Sequence, residues 1–328
     1  MKNLKKIELH LHLEGAAPPG FIRALAARKT RDPGRIFDAD GHYAYRDFND
    51  FLKVYEAATA LIETPRDYAD LLRVVLENAA EEGAVYAELF VSPEFCGGGD
   101  LVAWRDYLAA MTETAQAMRG QGIDSRAIVT PIRHLGPDQA RKSAVCAAET
   151  GSGDRSGWVA GFGLAGAEDV GLATDFRWSF DCAREAGLGL TCHAGEWGGP
   201  DSIRQALALG VSRIGHGVRA IEDAVLVNEL AQRGIVLEVC PGSNIALGIY
   251  PDWSAHPIAR LADAGVAVTV STDDPPFFHT SLTHEYQRLA DAFGWSEPEF
   301  AEMNRNAAGA AFCDETTRAT LLSVLDQA

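Results

Sequence analysis

The sequence predicts an α/β fold, specifically a (β/α)₈ barrel of the TIM type, and three observations lead to it. Eight short runs rich in β-branched and apolar residues recur along the 328 residues, each ended by a polar or glycine-rich turn. Several of the segments between them carry apolar residues at helical spacing. Strands that alternate with helices pair in parallel, and eight such units in a chain of this length are what a closed barrel requires.

The predicted elements cover most of the chain. The strands are expected at Ile7–Leu13, Val85–Val91, Arg126–Ile132, Trp158–Leu164, Leu188–His193, Arg213–His216, Ile235–Cys240 and Val266–Thr272. Helices are expected at Tyr68–Ala80, Leu101–Met118, Phe176–Ala186, Ala224–Arg233 and Pro257–Ala264, among others. The stretch Pro18–Thr64 is too long for one helix and predicts two or three extra helices over the barrel mouth, between the first and second strands. No linker or charge block divides the chain, so residues 1–328 are predicted to form a single domain.

Composition limits the possible partners. There are 29 basic and 46 acidic residues, which give a formal net charge of −17. A chain this acidic repels phosphate backbones, so a nucleic-acid partner is not expected, whereas a small neutral molecule or a metal cation is compatible. The sequence contains no apolar run of membrane-spanning length, no signal-peptide pattern and no C-x-x-C pair among its six cysteines. We therefore expect a cytoplasmic protein without a membrane partner, and the oligomeric state stays open.

Residues suited to catalysis collect at the carboxyl ends of the predicted strands, which is where active sites lie in barrels of this kind. These strands come from distant parts of the chain, and closure of the barrel would bring their ends together. In chain order the residues are His10 and His12 on the first strand, His193 and Glu196 after the fifth, His216 after the sixth, and Asp273 and Asp274 after the eighth.

Four of these residues form a predicted metal site. His10 and His12 are two apart on a strand, so both imidazoles lie on one face. Alone they would be ordinary strand histidines, but with His193 and Asp273 they supply three nitrogens and one carboxylate oxygen, a set that suits Zn²⁺ and leaves a position for water. Two-metal barrel hydrolases often use a lysine after the fourth strand, and no lysine follows Lys142 here. One zinc ion per chain is expected, although iron or cobalt would accept the same ligands.

Two further residues are predicted to move protons. Zinc lowers the pKa of its bound water to roughly 7, and His216 is the candidate to take the released proton. Glu196 follows His193 by three residues and projects into the same space, where low-dielectric surroundings would keep it protonated as an acid. Asp274 points differently from its neighbour Asp273 and can bind a substrate nitrogen.

Six motifs along the chain resemble those of the adenosine and adenine deaminases of the amidohydrolase superfamily. They are His10-Leu11-His12-Leu13-Glu14-Gly15, Leu164-Ala165-Gly166, His193-Ala194-Gly195-Glu196, Arg213-Ile214-Gly215-His216-Gly217, Cys240-Pro241-Gly242-Ser243-Asn244 and Ser271-Thr272-Asp273-Asp274-Pro275. The resemblance implies hydrolytic deamination of a 6-aminopurine: hydroxide attacks C6, Glu196 protonates N1, and His216 orients and deprotonates the water. It also implies that Asp274 binds N7 and the backbone N–H of Gly166 binds N3. The segment Asp50–Tyr55 resembles the family's lid helix. The expected substrate contacts are His12, Glu14, Phe51, Leu52, Tyr55, Gly166 and Asp274.

The preferred purine follows from two conflicting features. Typical adenosine deaminases end the first motif in Asp, which bonds the ribose, whereas Glu14 stands here and is commoner in relatives that act on free adenine. Leu164-Ala165-Gly166 instead resembles the nucleoside enzymes, since adenine-specific relatives carry a Ser pair there. We expect adenosine and 2′-deoxyadenosine, converted to inosine-type products plus ammonia, with adenine or a modified adenine as the alternative.

Two other functions remain as alternatives. A different hydrolase could act on a non-purine amide or amine at the same site, or a non-catalytic protein could have kept the fold. The zinc deaminases that edit nucleic acids carry H-x-E together with P-C-x-x-C, and the second part of that signature does not occur here.

Overall fold

Eight parallel strands form one sheet in the order β1 to β8 in the computed structural model, which describes residues 1–2 and 4–327. The first and last strands meet through backbone bonds from His12 N to Asp273 O (3.0 Å) and from Asp273 N to His10 O (3.1 Å), which close the barrel. The strands are β1 Lys6–His12, β2 Ala84–Val91, β3 Asp124–Val129, β4 Val159–Phe162, β5 Gly189–Ala194, β6 Arg213–His216, β7 Val236–Val239 and β8 Ala267–Val270.

The described residues also form thirteen α-helices, most of which pack outside the strands. They are α1 Pro19–Arg28, α2 Phe48–Thr59, α3 Pro65–Glu81, α4 Leu101–Arg119, α5 Pro137–Thr150, α6 Arg177–Glu185, α7 Pro200–Ala208, α8 Ala224–Arg233, α9 Pro241–Ala246, α10 Ile258–Asp263, α11 Leu282–Phe293, α12 Glu297–Ala310 and α13 Glu315–Asp326. Within the described residues, no helix combines the length and apolarity needed to cross a bilayer.

The predicted barrel is confirmed, and so are the extra helices over its mouth: α1 and α2 lie between β1 and β2. Several predicted strands were too long at their carboxyl ends. The third ends at Val129 rather than Ile132, because Pro131 has no N–H to donate and the chain turns there toward a short 3₁₀ helix, Arg133–Leu135. The fourth ends at Phe162 rather than Leu164.

Residues of β1 alternate between the barrel interior and the surrounding helices. Ile7 and Leu9 pack with Ala307 and Ala308 of α12, whereas His10 and His12 have ring centroids 5.5 Å apart inside the barrel. A period of two along a strand produces this division. The sequence pattern H-x-H therefore delivers two imidazoles to one opening.

The lid helix α2 begins with a side-chain cap. The carboxylate of Asp47 accepts a hydrogen bond from Asp50 N at 2.9 Å, which satisfies one of the free N–H groups of the first turn. Phe51 and Val54 are buried on one face of this helix. Its start and its apolar face are thus both encoded locally, and they fix how the helix lies over the mouth.

Candidate active site

A cavity of about 570 Å³ opens at the carboxyl end of the barrel, beneath α2. It is lined by nearly all the residues predicted for the site: His12, Phe51, Leu52, Tyr55, Gly166, His193, Glu196, His216, Asp273 and Asp274. His10 lies fully buried behind this lining, in contact with the other histidines. A concave site with a few converging polar groups is the usual form of a small-molecule pocket.

Three short distances link the four predicted ligands. His12 Nε2 lies 3.1 Å from His193 Nε2 and 3.3 Å from Asp273 Oδ1, and His10 Nε2 lies 3.4 Å from the same oxygen. Two ligands that each lie about 2.0–2.1 Å from a tetrahedral zinc ion are about 3.3 Å apart, so this spacing fits one ion. His10 Nε2 is buried without a hydrogen-bond partner, as a nitrogen kept for a metal would be.

The Asp273 carboxylate is oriented by its second oxygen. Ser243 Oγ donates to Asp273 Oδ2 at 2.7 Å, which leaves Oδ1 facing the histidines. Asp273 and His216 both have a left-handed backbone, with φ of 66° and 61°. That conformation is costly for residues other than glycine and is often found at functional sites, and here it stands where two strands end.

His216, and not His12, completes the four-residue group of candidate metal-ligand atoms around His10. Its Nε2 is 3.9 Å from Asp273 Oδ2, and ring nitrogens of His10, His193 and His216 lie within 4.8 Å of one another and of a carboxylate oxygen of Asp273. Gly215 makes this packing possible, because a Cβ there would stand 2.9 Å from Cε1 of His10. The glycine before His216 thus admits the ring of His10, one of the predicted ligands.

Glu196 is buried beside the cluster, and its surroundings favour the neutral acid. Burial, and after it the negative charge of Asp273, raises the pKa of Glu196 well above its usual value. Its Oε1 accepts a hydrogen bond from Asn244 Nδ2 at 3.1 Å. A carboxyl group in this state can donate a proton to a molecule in the cavity at neutral pH.

Asp274 occupies a similar environment on the opposite side of Asp273. Burial, followed by the charges of Asp273, Glu196 and Glu14, raises its pKa well above normal. Its Oδ1 is buried without a partner and lies against Gly15, where a Cβ would be 1.5 Å from that oxygen. The first motif therefore ends in glycine because the Asp274 carboxyl occupies the space.

The structure does not bring Glu14 into the cavity lining. Its side chain is buried, and Tyr68 of α3 donates its hydroxyl to Glu14 Oε1 at 3.0 Å. Burial raises the pKa of Glu14 to about 7. Tyr68 thus occupies one oxygen of Glu14, which is not among the residues that line the cavity. The direct contact of Glu14 with substrate stays a prediction.

The sequence analysis missed Glu168, which holds the loop that carries Glu196. Its carboxylate accepts N–H bonds from Gly195 (2.6 Å), Glu196 (3.1 Å) and Trp197 (2.8 Å) and the Ser202 hydroxyl. Burial opposes the ionisation of Glu168, but these bonds outweigh it and hold the pKa below its usual value. An acid shortly after Leu164-Ala165-Gly166 was visible in the sequence, but its partners were not.

Three more residues around the site were not predicted: Glu238, Asn244 and His256. Glu238 accepts a hydrogen bond from His10 Nδ1 at 2.9 Å, and Asn244 contacts both Glu196 and His216. An acid in the middle of the apolar run Ile235–Cys240 was a signal for Glu238, since an isolated charge in a barrel strand needs a buried partner.

The family model for adenosine deaminase matches residues 5–328. The chain is 48% identical to the adenine deaminase of Sinorhizobium medicae over 328 residues, covering 98% of both chains, and 47% identical to that of Agrobacterium fabrum over 330 residues, covering 99% of both.

Solved structures agree in fold. The adenine deaminase from Arthrobacter aurescens has a TM-score of 0.87 at 28% identity, with 99% of this chain and 98% of that chain covered. An amidohydrolase from Burkholderia ambifaria with bound Zn also has a TM-score of 0.87 at 28% identity, with 99% and 90% covered. With the family model matching nearly its whole length, the chain belongs to the adenosine deaminase family and is a hydrolytic deaminase.

Proposed function

We propose that this protein is a zinc-dependent adenine deaminase that hydrolyses the exocyclic C6–N bond of adenine to give hypoxanthine and ammonia. The observation that carries the proposal is the placement of a buried carboxyl group, Glu196, whose pKa is raised by burial, on the wall of the cavity that also contains the cluster of His12, His193 and Asp273. The names of the Sinorhizobium and Agrobacterium relatives support adenine as the substrate.

Zinc is the proposed metal because three imidazole nitrogens and one carboxylate oxygen form the donor set, and because a structural neighbour contains Zn. A bound zinc ion would supply hydroxide at neutral pH. It would also stabilise the negative charge that develops on the groups attached to C6 of the purine during the attack. The residues that would hold it are His10, His12, His193 and Asp273.

The remaining polar groups can then orient the base. Adenine N1 and N7 are hydrogen-bond acceptors, so their partners must donate. Neutral Glu196 is proposed to donate to N1 and neutral Asp274 to N7, while the backbone N–H of Gly166 reaches N3. His216 is proposed to hold the attacking water and assist its deprotonation. Protonation of N1 withdraws electrons from C6 and makes it a better electrophile.

Free adenine is favoured over adenosine by the sugar side of the site. Glu14 would be the ribose contact in this family, but its carboxyl is bonded to Tyr68 and does not line the cavity. Away from the metal end, much of the described lining is apolar: Phe48, Phe51, Leu52, Ile62, Phe95, Ile132, Leu135, Leu247 and Phe278. Ribose hydroxyls placed against these apolar side chains would lose hydrogen bonds to water, and only the described polar lining residues Glu56, Thr59, Glu63 and His134 could replace them. The adenosine expected from Leu164-Ala165-Gly166 is thus the second candidate, kept because the cavity of about 570 Å³ has room for it.

Phosphorylated purines fit least well. One structural neighbour is an N6-mAMP deaminase from Arabidopsis, with a TM-score of 0.86 at 25% identity and 100% of this chain covered. Among the residues that the structure describes, however, no lysine or arginine lines the cavity of this chain, and Glu56 and Glu63 stand among the lining residues. A phosphate there would be repelled rather than paired.

An assay of 6-oxopurine formation from adenine, adenosine, 2′-deoxyadenosine, AMP and N6-methyl-AMP tests the proposal; the last compound would release methylamine and the others ammonia. We expect kcat/KM for adenine to exceed that for each other compound by at least about tenfold, which corresponds to about 1.4 kcal/mol of transition-state discrimination. Faster turnover of adenosine would move the assignment to the nucleoside. Absence of a 6-oxopurine product from every compound, in protein that contains zinc, would overturn it.

A further inference from the structure

Asn244 is the buried polar residue that contacts both proposed proton-handling side chains. It lies in α9, immediately after β7, and is fully buried. Its Nδ2 is 3.1 Å from Glu196 Oε1 and 3.4 Å from His216 Nδ1. An amide nitrogen carries two N–H bonds, so one can be directed to each neighbour.

The other end of the Asn244 amide meets His256. Asn244 Oδ1 lies 3.1 Å from His256 Nε2, and His256 Nδ1 accepts a hydrogen bond from the backbone N–H of Ile258 at 3.2 Å. Because Nδ1 is an acceptor, the proton of the neutral ring stands on Nε2 and is donated to Asn244. His256 is 2% exposed, and burial, followed by the charges of His216 and Arg260, lowers its pKa to about 3, so it stays neutral.

The donor and acceptor of each of these hydrogen bonds are therefore determined by the backbone N–H of Ile258. A backbone N–H can only donate, which fixes the tautomer of His256, and the His256 Nε2–H group can only donate, which turns the oxygen of Asn244 toward it. The nitrogen of Asn244 then necessarily faces Glu196. Reversal of the amide would place two donors against each other at His256.

We propose that His256 and Asn244 are positioning residues that fix the carboxyl group of Glu196 for proton donation. Oε1 of Glu196 accepts the N–H of Asn244, so the proton of the neutral acid is held on Oε2, the oxygen left for the substrate. The destination of that proton, N1 of the purine, rests on the proposed function. The step moves the proton from Oε2 to N1 and leaves the carboxylate charge stabilised by the same Asn244 N–H.

A purely structural explanation makes a different prediction. Buried polar groups are normally hydrogen-bonded, and this chain of bonds could serve only to satisfy them. Loss of His256 would then lower stability but leave the turnover of the folded enzyme unchanged. If the residues position Glu196, loss of His256 lowers kcat in enzyme that is folded and contains its metal.

Kinetics of four variants separate the two cases. With adenine, His256→Leu is expected to lower kcat about tenfold with KM within about twofold, since one net hydrogen bond is worth about this factor. His256→Gln, which keeps a donor, should recover most of that loss. Asn244→Ala should lower kcat at least as much as His256→Leu. The double variant, His256→Leu with Asn244→Ala, should lower kcat no more than Asn244→Ala alone, because the two residues act in series. Ile258→Val, which perturbs the same packing but keeps its backbone N–H, is the matched control.

Melting temperature and metal content are measured on every variant. The positioning role would be overturned if the two single losses in kcat multiplied in the double variant. It would also be overturned if kcat fell together with metal content and fell in Ile258→Val as well. If His256→Leu proves unfolded, His256→Gln and Asn244→Ala are compared instead. Equal kcat in these two variants and in the unmodified protein would then overturn the positioning role.

A spectroscopic measurement tests the proposal without turnover. In protein labelled with ¹⁵N at histidine, the signals lost in His256→Gln identify the ring, and we expect the neutral Nε2–H tautomer at pH 7. An Nδ1–H tautomer or a protonated ring would overturn the proposal, whether or not adenine is deaminated. Conversely, a wild-type protein that has the expected tautomer but deaminates no purine removes the proposed function alone.

Discussion

His10 Nδ1 lies 2.9 Å from Oε2 of Glu238, which comes from β7, two strands away around the barrel. The Glu238 carboxylate also accepts bonds from Thr191 Oγ1 at 2.8 Å and Arg213 Nε at 2.6 Å. Burial opposes its ionisation, but the charge of Arg213 and the bond from His10 hold the pKa of Glu238 below its usual value. An ionised acceptor at Nδ1 keeps the ring proton there and leaves Nε2 free for a metal.

We therefore predict that Glu238→Gln lowers metal affinity by about 10- to 100-fold, the range found when an outer partner of a metal-bound histidine is lost. Glutamine can still accept one bond, but it carries no charge to balance Arg213 and fixes the tautomer of His10 less strongly. Competition with a chelator of known affinity measures the change. Glu229→Gln, on the surface beside Arg233, is the control. Equal affinity in the two variants would show that Glu238 only balances Arg213.

Removal of one predicted ligand should separate metal binding from folding. Zinc bound only to the native state raises its stability, so addition of zinc to the chelated protein should raise the melting temperature. In His193→Ala the shift should be absent, because one of the converging nitrogens is gone. Differential scanning fluorimetry with and without zinc measures both, and deaminase activity should return with zinc in the unmodified protein alone. A full thermal shift in His193→Ala would place the metal elsewhere.

The acid role of Glu196 predicts a large and specific loss. Glu196→Gln preserves the shape and the contact with Asn244 but has no carboxyl proton to give, so kcat should fall by about 10²–10⁴-fold. KM and zinc content should change little, since no ligand of the predicted cluster is altered. Steady-state kinetics with adenine and metal analysis of the same sample provide the measurement. A variant that keeps more than about a tenth of its turnover would exclude Glu196 as the proton donor.

The barrel, and the meeting of the predicted polar side chains at its opening, were predictable because both follow from local patterns. Alternation of apolar residues places His10 and His12 on one face, and polar residues at strand ends meet at one opening in any closed barrel. The connections among those side chains were not predictable. Whether Glu238 reaches His10, or Tyr68 occupies Glu14, depends on barrel register and on where a helix is placed, and the sequence separations of 228 and 54 residues carry no signal for either contact.

The same contrast between local patterns and tertiary contacts applies to the prediction of the substrate. The resemblance of six sequence motifs predicted the reaction class, but the choice between a nucleoside and a free base depended on where one carboxyl group pointed. Glu14 is turned toward Tyr68 by a tertiary contact, so its identity alone did not determine its role. The motif Leu164-Ala165-Gly166 indicated adenosine, whereas the most similar relatives considered above are named for adenine.

Glu94 provides a prediction about stability that is independent of the reaction. Its Oε1 accepts a bond from Ser143 Oγ at 2.9 Å, its Oε2 is buried without a partner, and burial raises its pKa from 4.5 to about 7. Between these two pH values the native state keeps a proton that the unfolded chain releases. Native stability therefore falls as the pH rises through this window and becomes constant above it. Across the window, the titration of Glu94 lowers the free energy of unfolding by about 3 kcal/mol.

Glu94→Gln removes this titration, because the amide stays neutral in both states. The difference in unfolding free energy, variant minus wild type, should increase by about 3 kcal/mol from pH 4.5 to pH 7 and change little from pH 7 to pH 8.5. Urea denaturation at four pH values measures it, and the comparison within one background cancels the other buried acids. Glu113→Gln, on the exposed face of α4, should give a difference that does not depend on pH. If the Glu94→Gln difference is equally flat, the buried carboxyl ionises at the same pH in the folded and unfolded chain, and its apolar surroundings are compensated by a donor to Oε2.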